Sequence, residues 1–360
     1  MSPNTPGAIR GRGAVSNPEG RFESTRREDF DDGWLIEEPP AAAPDTVVRA
    51  EPARSIITRN DSPDIPFERS INPYRGCEHG CVYCFARPSH AYLNLSPGID
   101  FETRLFYKQD AARLLENELR KPGYRCLPIN LGSNTDPYQP IERRLGVTRS
   151  LLEVLERFRH PVTIVTKSAL VERDLDILAR MAAAGLASVA ISITTLRDEL
   201  KRTLEPRAPA PAARLRAVRH LREAGVPVFV LAAPIIPCVN DDEIERILEA
   251  AAEAGATGAG YVFLRLPHEL KDIFRAWLDV HLPQRAEHVM SLIQQSRGGK
   301  AYDAAWGQRM RGQGVFADLI AQRFALACRR LALNRVRDWR LDTAQFRVPP
   351  QAGDQMTLPI

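Results

Sequence analysis

Cys77-Glu78-His79-Gly80-Cys81-Val82-Tyr83-Cys84 is the stretch on which the reading of this chain turns. Three of the six cysteines in 360 residues fall within it, spaced C-x3-C-x2-C, and Gly76 and Gly80 stand directly before the first two. Thiolates converging from a tight loop suit a soft iron–sulfur centre. Glycines let such a loop bend sharply and approach its ligand closely. A cubane cluster ordinarily takes four thiolates; this loop offers three, which leaves one iron open to a small molecule. The same residues admit two other readings. One is structural zinc completed by His79, His90 or Cys126, although the spacing lacks the paired knuckles of common zinc modules. The other is a disulfide with a spare thiol, and six cysteines in a chain of this length are not the density of a disulfide scaffold.

Outward from that stretch, the bulk properties are those of a globular protein. Hydrophobic residues make up 44% and charged residues 26%, and the length allows one large core or two modest ones. No run of about 18 apolar residues occurs, so no membrane span is expected. Met1-Ser-Pro-Asn-Thr-Pro6 lacks the apolar core of a signal peptide, and a reducing, cytoplasmic setting is the expectation. The net charge of +4 is unevenly spread. Residues 1–65 hold 8 Lys/Arg against 12 Asp/Glu, and residues 297–347 hold 11 against 4. The basic C-terminal part reads either as the solvated face of arginine-rich helices or as a nucleic-acid surface.

Residues 1–60 carry little periodicity and read as a disordered arm or linker, with Glu37–Pro44 extended and Trp34-Leu-Ile36 able to dock. From about residue 66 strands and helices alternate. Strands are expected at 70–74, 128–132, 162–166, 189–193, 228–232 and 260–264. Between them, apolar residues at helical spacing mark helices over 109–120 and 148–159, around Leu175, Leu215 and Ile244, and then over 268–280, 284–297 and 313–333. Six units with continuous apolar strands indicate a parallel sheet covered by helices, with periodicity alone leaving open sheet and barrel undivided. The expected domains are the arm 1–60, an α/β body over 61–270, a helical extension over 271–347 and a flexible tail over 348–360.

With its flanks, the cysteine stretch is more specific. Asn72-Pro-Tyr-Arg-Gly-Cys77, Cys84-Phe-Ala-Arg-Pro88 and Asp136-Pro-Tyr-Gln-Pro-Ile-Glu142 together resemble the radical S-adenosylmethionine (SAM) superfamily, in its spore photoproduct lyase-like branch, over residues 65–270. The resemblance implies an incomplete (β/α)6 barrel, open on one side to a large substrate. It implies a [4Fe–4S] cluster on Cys77, Cys81 and Cys84, with SAM on the remaining iron and Tyr83 against the adenine. Cluster and SAM together would yield a 5′-deoxyadenosyl radical that abstracts hydrogen from an unactivated C–H bond. In barrels of this kind the chemistry lies at the C-terminal strand ends, where Cys77, Asn134, Lys167, Thr194, Cys238 and Arg265 fall.

Further roles follow from that placement. Many relatives carry Gly-Gly-Glu where this chain reads Gly132-Ser-Asn134, so Gly132 and Asn134 are the candidates for the SAM amino group. Ser192, or Thr194, would meet the ribose, and Lys167 and Arg207 the carboxylate. Asp136, Tyr138 and Gln139 sit in a loop stiffened by prolines and are candidates for substrate contact. Cys238 is a candidate for returning hydrogen to a product radical. The resemblance also implies a one-electron donor of flavodoxin or ferredoxin type. If it extends to activity, the substrate is a nucleic-acid lesion held by Arg309, Arg311, Arg329 and Arg330. Gln355-Met-Thr-Leu358 resembles peptides captured by sliding clamps, without their terminal Phe. The alternative to a radical enzyme is a metal-stabilised nucleic-acid-binding module; a barrel with structural zinc is a third reading.

Overall fold

Aliphatic and β-branched runs alternate with amphipathic helices from residue 69 onward, and the chain winds accordingly. The computed structural model describes residues 9, 11–23, 45–335 and 340–351; Trp34–Ile36, Glu37–Pro44 and Gln355–Leu358 lie outside them. Six strands are mutually parallel: β1 (Arg69–Ile71), β2 (Ile129–Leu131), β3 (Val162–Thr166), β4 (Ala187–Ser192), β5 (Val228–Ile235) and β6 (Gly258–Phe263). Their order in space is their order in the chain, and a short strand, Ile57–Arg59, adds antiparallel to the outer edge of β1. Among the described residues no pairing joins β6 back to that edge, so the barrel stays open.

Alternate strand residues vanish from solvent: Val162 and Ile164, Val189 and Ile191, Val228 and Val230 are all at 0% exposure. Against them lie Leu151 and Leu155 of helix Val147–Arg157, Leu178 of Leu175–Ala183, Leu221 of Pro211–Glu223 and Ile247 of Ile244–Glu253. These residues make the helix-facing side of the sheet, and the residues between them in β3 and β5 are less buried. Past β6, helices Leu270–His281 and Ala286–Gln295 build a second core around Phe274, Trp277 and Ile293, which also takes in Cys81 and Tyr83. Helix Val315–Arg330 covers the β6 edge, with the Phe324 ring tilted against Tyr261, centroids 4.7 Å apart.

The described parts of residues 1–60 are packed onto this frame. Val47–Ala50 pairs in parallel with Arg104–Tyr107. Residues 11–23 form a strap with Ala14 and Val15 buried. Its Gly13 and Ala14 amides donate to the Glu102 carboxylate at 3.0 and 2.8 Å. Glycine is required at residue 13, since a Cβ there would sit 1.7 Å from the Gly80 carbonyl oxygen. At the opposite end of the barrel, residues 341–349 close the bottom. The Asp342 and Arg347 amides donate to Gly185 O and Phe158 O, and Arg120 holds Pro349 O at 2.8 Å.

Under that closing segment His160 is fully buried between Tyr124 and Phe346. Its Nδ1–H donates to Pro161 O at 3.0 Å, and its Nε2 takes the Tyr124 hydroxyl at 2.9 Å, which defines a neutral ring. Burial, with Arg69 nearby, pushes its pKa down to about 4 from 6.5, against the pull of the Pro161 carbonyl. The unfolded chain therefore binds a proton between those values that the folded chain does not, and stability is lost as pH falls through that window. Thermal unfolding followed from pH 7 to pH 4 is expected to show this loss, up to about 3 kcal/mol, and His160→Gln is expected to flatten it.

Candidate active site

The cysteine loop leaves β1 through the short strand Tyr74–Arg75 and has no helix or sheet of its own. It is held instead by backbone and side-chain contacts from every direction. Gly76 and Gly80 both take positive φ, +75° and +67°. Cβ atoms there would meet Leu105 Cδ2 and Glu102 Oε2, each at 2.7 Å. Cys77 N–H donates to Phe101 O at 2.9 Å, and Val82 N–H to Leu204 O at 3.0 Å. Arg87, at 0% exposure, donates to Cys81 O at 2.8 Å and to Gly98 O at 2.8 Å, and pairs with the equally buried Glu102 at 2.5 Å. On the other flank Gln139 bridges Glu78 N–H at 2.9 Å and Gly76 O at 3.2 Å. Arg207 pairs with Glu78 at 2.9 Å.

Loop and strand ends enclose a cavity of about 450 Å³, within the range of small-molecule sites. Cys77, Cys81, Cys84, Tyr83, Gly132, Asn134, Asp136, Lys167 and Ser192 all line it. Burial pushes all three thiols up, Cys81 to about 12. As free groups they are protonated, and only coordination by cationic metal would draw them out as thiolates. Of the three candidates for a fourth zinc donor, only His79 lines the cavity, with its Nδ1 3.2 Å from Asp136. His90 Nε2 donates to Arg104 O at 2.9 Å, and neither His90 nor Cys126 lines the cavity. Among the described residues no three His, Cys, Asp or Glu side chains converge as they would on one ion. Three thiols around an open cavity fit a body larger than a single metal, with room beside it.

Beneath the cavity runs a network centred on Glu205, a residue with no sequence signal beyond its place in Leu204-Glu-Pro-Arg207. Its carboxylate, at 0% exposure, pairs with the buried Arg214. It also receives Thr194 Oγ1 at 2.6 Å and the Tyr83 hydroxyl, and lies 3.6 Å from Lys167 Nζ. Burial alone would raise its pKa, but Arg214 and Lys167 outweigh that and hold it well below the usual carboxylate range. Lys167 donates to Ser192 Oγ at 2.7 Å, and its ammonium stands 5.5 Å from the Tyr83 ring centroid. Asp136 is tied down likewise: Thr166 Oγ1 donates to it at 2.6 Å and Lys167 N–H at 2.8 Å. Burial would raise Asp136 too, yet His79 and these donors lower it.

Several expected roles change with this geometry. Tyr138 and Gln139, expected at the substrate, are fully buried and face away from the cavity. Tyr138 donates to Asp174 at 3.0 Å, and Gln139 clamps the cysteine loop. Arg207 is captured by Glu78 and does not line the cavity. Thr194 lies behind the wall, against Glu205 and Ala233 O. Cys238 is outside the cavity, packed with the second core. Of the basic residues expected to hold phosphates, Arg309 lines the cavity, whereas Arg330 pairs with Glu249 and Arg311 stacks at 4.2 Å on Tyr261; Arg329 lies beside a separate groove. Two residues not foreseen also line the site. Asn130 donates to Thr163 Oγ1 at 2.9 Å, with its own carbonyl buried and unpartnered. Ser133 is held by Asn72 at 3.0 Å.

The sequence profile of the radical SAM superfamily matches residues 71–251, half of the chain. The chain belongs to that superfamily, whose cofactors are a [4Fe–4S] cluster and SAM. An uncharacterised protein of Mycobacterium tuberculosis is 39% identical over 216 residues, 59% of this chain and 64% of the relative. The match thus spans less than two thirds of that mycobacterial protein. An uncharacterised protein of Methanocaldococcus jannaschii is 31% identical over 219 residues, 61% of this chain and 78% of its own. Among solved structures, spore photoproduct lyase complexed with dinucleoside spore photoproduct superposes with a TM-score of 0.56 at 17% identity, over 79% of each chain. A point variant of that enzyme gives the same score at 18%. At such identity the likeness establishes a shared fold.

The Glu205–Arg214 pair supplies a test of the wall behind the cavity. Glu205→Gln removes the charge that compensates a buried guanidinium. It is expected to cost about 3–5 kcal/mol in urea unfolding. Replacing both partners at once, Glu205→Leu with Arg214→Met, is expected to recover part of that loss.

Proposed function

We propose that this chain is a radical SAM enzyme in which Cys77, Cys81 and Cys84 ligate the cluster and the adjoining cavity holds SAM next to an organic substrate. The observation that carries the reading is the grouping of three thiols of one loop around a cavity large enough for a small molecule. Bound together and reduced by one electron, cluster and SAM would supply a 5′-deoxyadenosyl radical, by cleavage of the C5′–S bond with release of methionine, for abstraction of hydrogen from a C–H bond. The protein binds, orients and excludes water. Gly132, at φ +92°, brings strand-end backbone against the cavity, and Asn134 offers an amide there. Lys167 presents a cation for a carboxylate, Ser192 a hydroxyl for a ribose, and Tyr83 a ring fixed through its own hydroxyl. Thr194 and Glu205 act through Tyr83 and Lys167 as positioning groups.

A nucleic-acid lesion is the substrate class that the fold shared with spore photoproduct lyase favours, supported here by arginine at the cavity mouth. A lesion would have to leave its stack to reach that mouth. Electrons would come from a one-electron protein donor. Anaerobic reconstitution is expected to load iron and sulfide in near-equal amounts. With dithionite and SAM the loaded protein is expected to release 5′-deoxyadenosine, and Cys81→Ala to abolish that release. Zinc without iron, or equal release from the variant, would sink the reading.

A further inference from the structure

Arg265 follows β6 and lines the cavity mouth with Phe85, Phe67, Arg309 and Met310. It is half-buried, and its Nε is out of solvent without a hydrogen-bond partner. Among the described residues its one hydrogen bond is a weak one, Nη1 to Met310 Sδ at 3.4 Å. No carboxylate among the described residues comes within ion-pair distance of it. Asp64 is already occupied: it takes the Gly307 amide at 2.7 Å and pairs with Arg309, and these, with Arg265 nearby, hold its carboxyl below its ordinary value. Arg297 adds like charge behind. It is buried, its donors go to Gln308 O at 2.7 Å and Leu264 O at 2.8 Å, and burial together with Arg265 lowers its pKa to about 10.

A guanidinium in such a place is costly unless something anionic meets it. What fixes its position is Phe85, 44% exposed, whose ring lies 5.0 Å below the Arg265 guanidinium carbon. Stacking on a ring holds a guanidinium still while leaving its in-plane donors free for a forked bond to an oxyanion. Arg309, by contrast, spends its fork on Asp64 and on Ser62. We propose that Arg265, braced on Phe85, is the specificity residue for an oxyanion carried by the substrate. This rests on the reading of the cavity as the place where SAM and substrate meet, and it narrows the substrate to an anion, a phosphate or a carboxylate.

Matched probes distinguish the two anions: thymidine 5′-monophosphate against thymidine, and orotate against uracil. They are titrated by calorimetry into the full-length, cluster-loaded protein saturated with SAM. The charged member of one pair is expected to bind about tenfold to a hundredfold tighter than its neutral partner, the pair identifying the anion. Arg265→Ala is expected to erase that preference, Arg265→Lys to keep part of it, and Phe85→Ala to weaken it, all with iron and sulfide content unchanged as the control for folding. No preference in either pair, or a preference that survives Arg265→Ala, overturns the proposal. Iron, sulfide and 5′-deoxyadenosine are measured on the same wild-type preparation. Protein that cleaves SAM yet ignores the anion refutes this subsite alone, whereas protein that prefers the anion without holding a cluster refutes the enzyme reading alone.

Discussion

A loop that must set three thiols around one cavity has no regular structure here, and so no ladder of its own to stiffen it. In this protein the stiffness is borrowed from buried charge. Arg87 and Glu102 are both fully enclosed, a pairing whose desolvation cost is large and whose Coulombic return depends on good geometry. The geometry here is good because each partner has further bonds. Arg87 caps the Cys81 carbonyl, and Glu102 collects two strap amides. The same pair therefore holds the cysteine loop from below and seals it from outside. Residue 13 shows how tight that seal is, since nothing larger than glycine fits against Gly80.

The opposite flank solves the same problem with different groups. Gln139 grips the start of the loop at Gly76 and Glu78, and Arg207 leans on the loop through Glu78. Both lie on connections that follow strands of the barrel, so the sheet itself is the reference frame for the thiols. Glu205 extends that logic under the cavity floor. One carboxylate meets Arg214, Thr194, Tyr83 and Lys167, tying cysteine loop, β4 and the connection beyond it into one rigid wall. Sites that act by positioning depend on such support.

What the sequence made legible follows from the range of the forces involved. Strands β1–β6 declared themselves as short runs rich in aliphatic and β-branched residues, and their limits shift by only a residue or two, or three at the ends of β1 and β5. The three cysteines were legible because only their chemistry and spacing mattered. The clamps were not. Arg87, Glu102, Glu205 and Arg214 are residue types that ordinarily stay at the surface, and each is buried only because a partner arrives from elsewhere in the chain. Tyr138 and Gln139 misled for the converse reason. They sit in a polar loop between Pro137 and Pro140 that looked accessible, but both turn inward to partners at Asp174 and in the cysteine loop. Arg207 was expected at a ligand carboxylate and found a protein one.

The C-terminal extension carries a similar lesson about reading a domain by its neighbours. Its helices looked like closure for the barrel, and Val315–Arg330 does serve that purpose. Yet the segment before that helix reaches back over the mouth. Met310 O accepts the Phe263 amide at 2.8 Å, continuing the edge of β6, and Asp64 staples the segment to the lip ahead of β1. The mouth is thus assembled from the two ends of the barrel sequence, residues 60–67 and 305–310, across the gap that the sheet leaves open. A barrel that stopped at six strands gains an entrance whose shape and charge are independent of the strands. That arrangement lets the cofactor machinery stay constant while the entrance, built on loops, sets what is admitted.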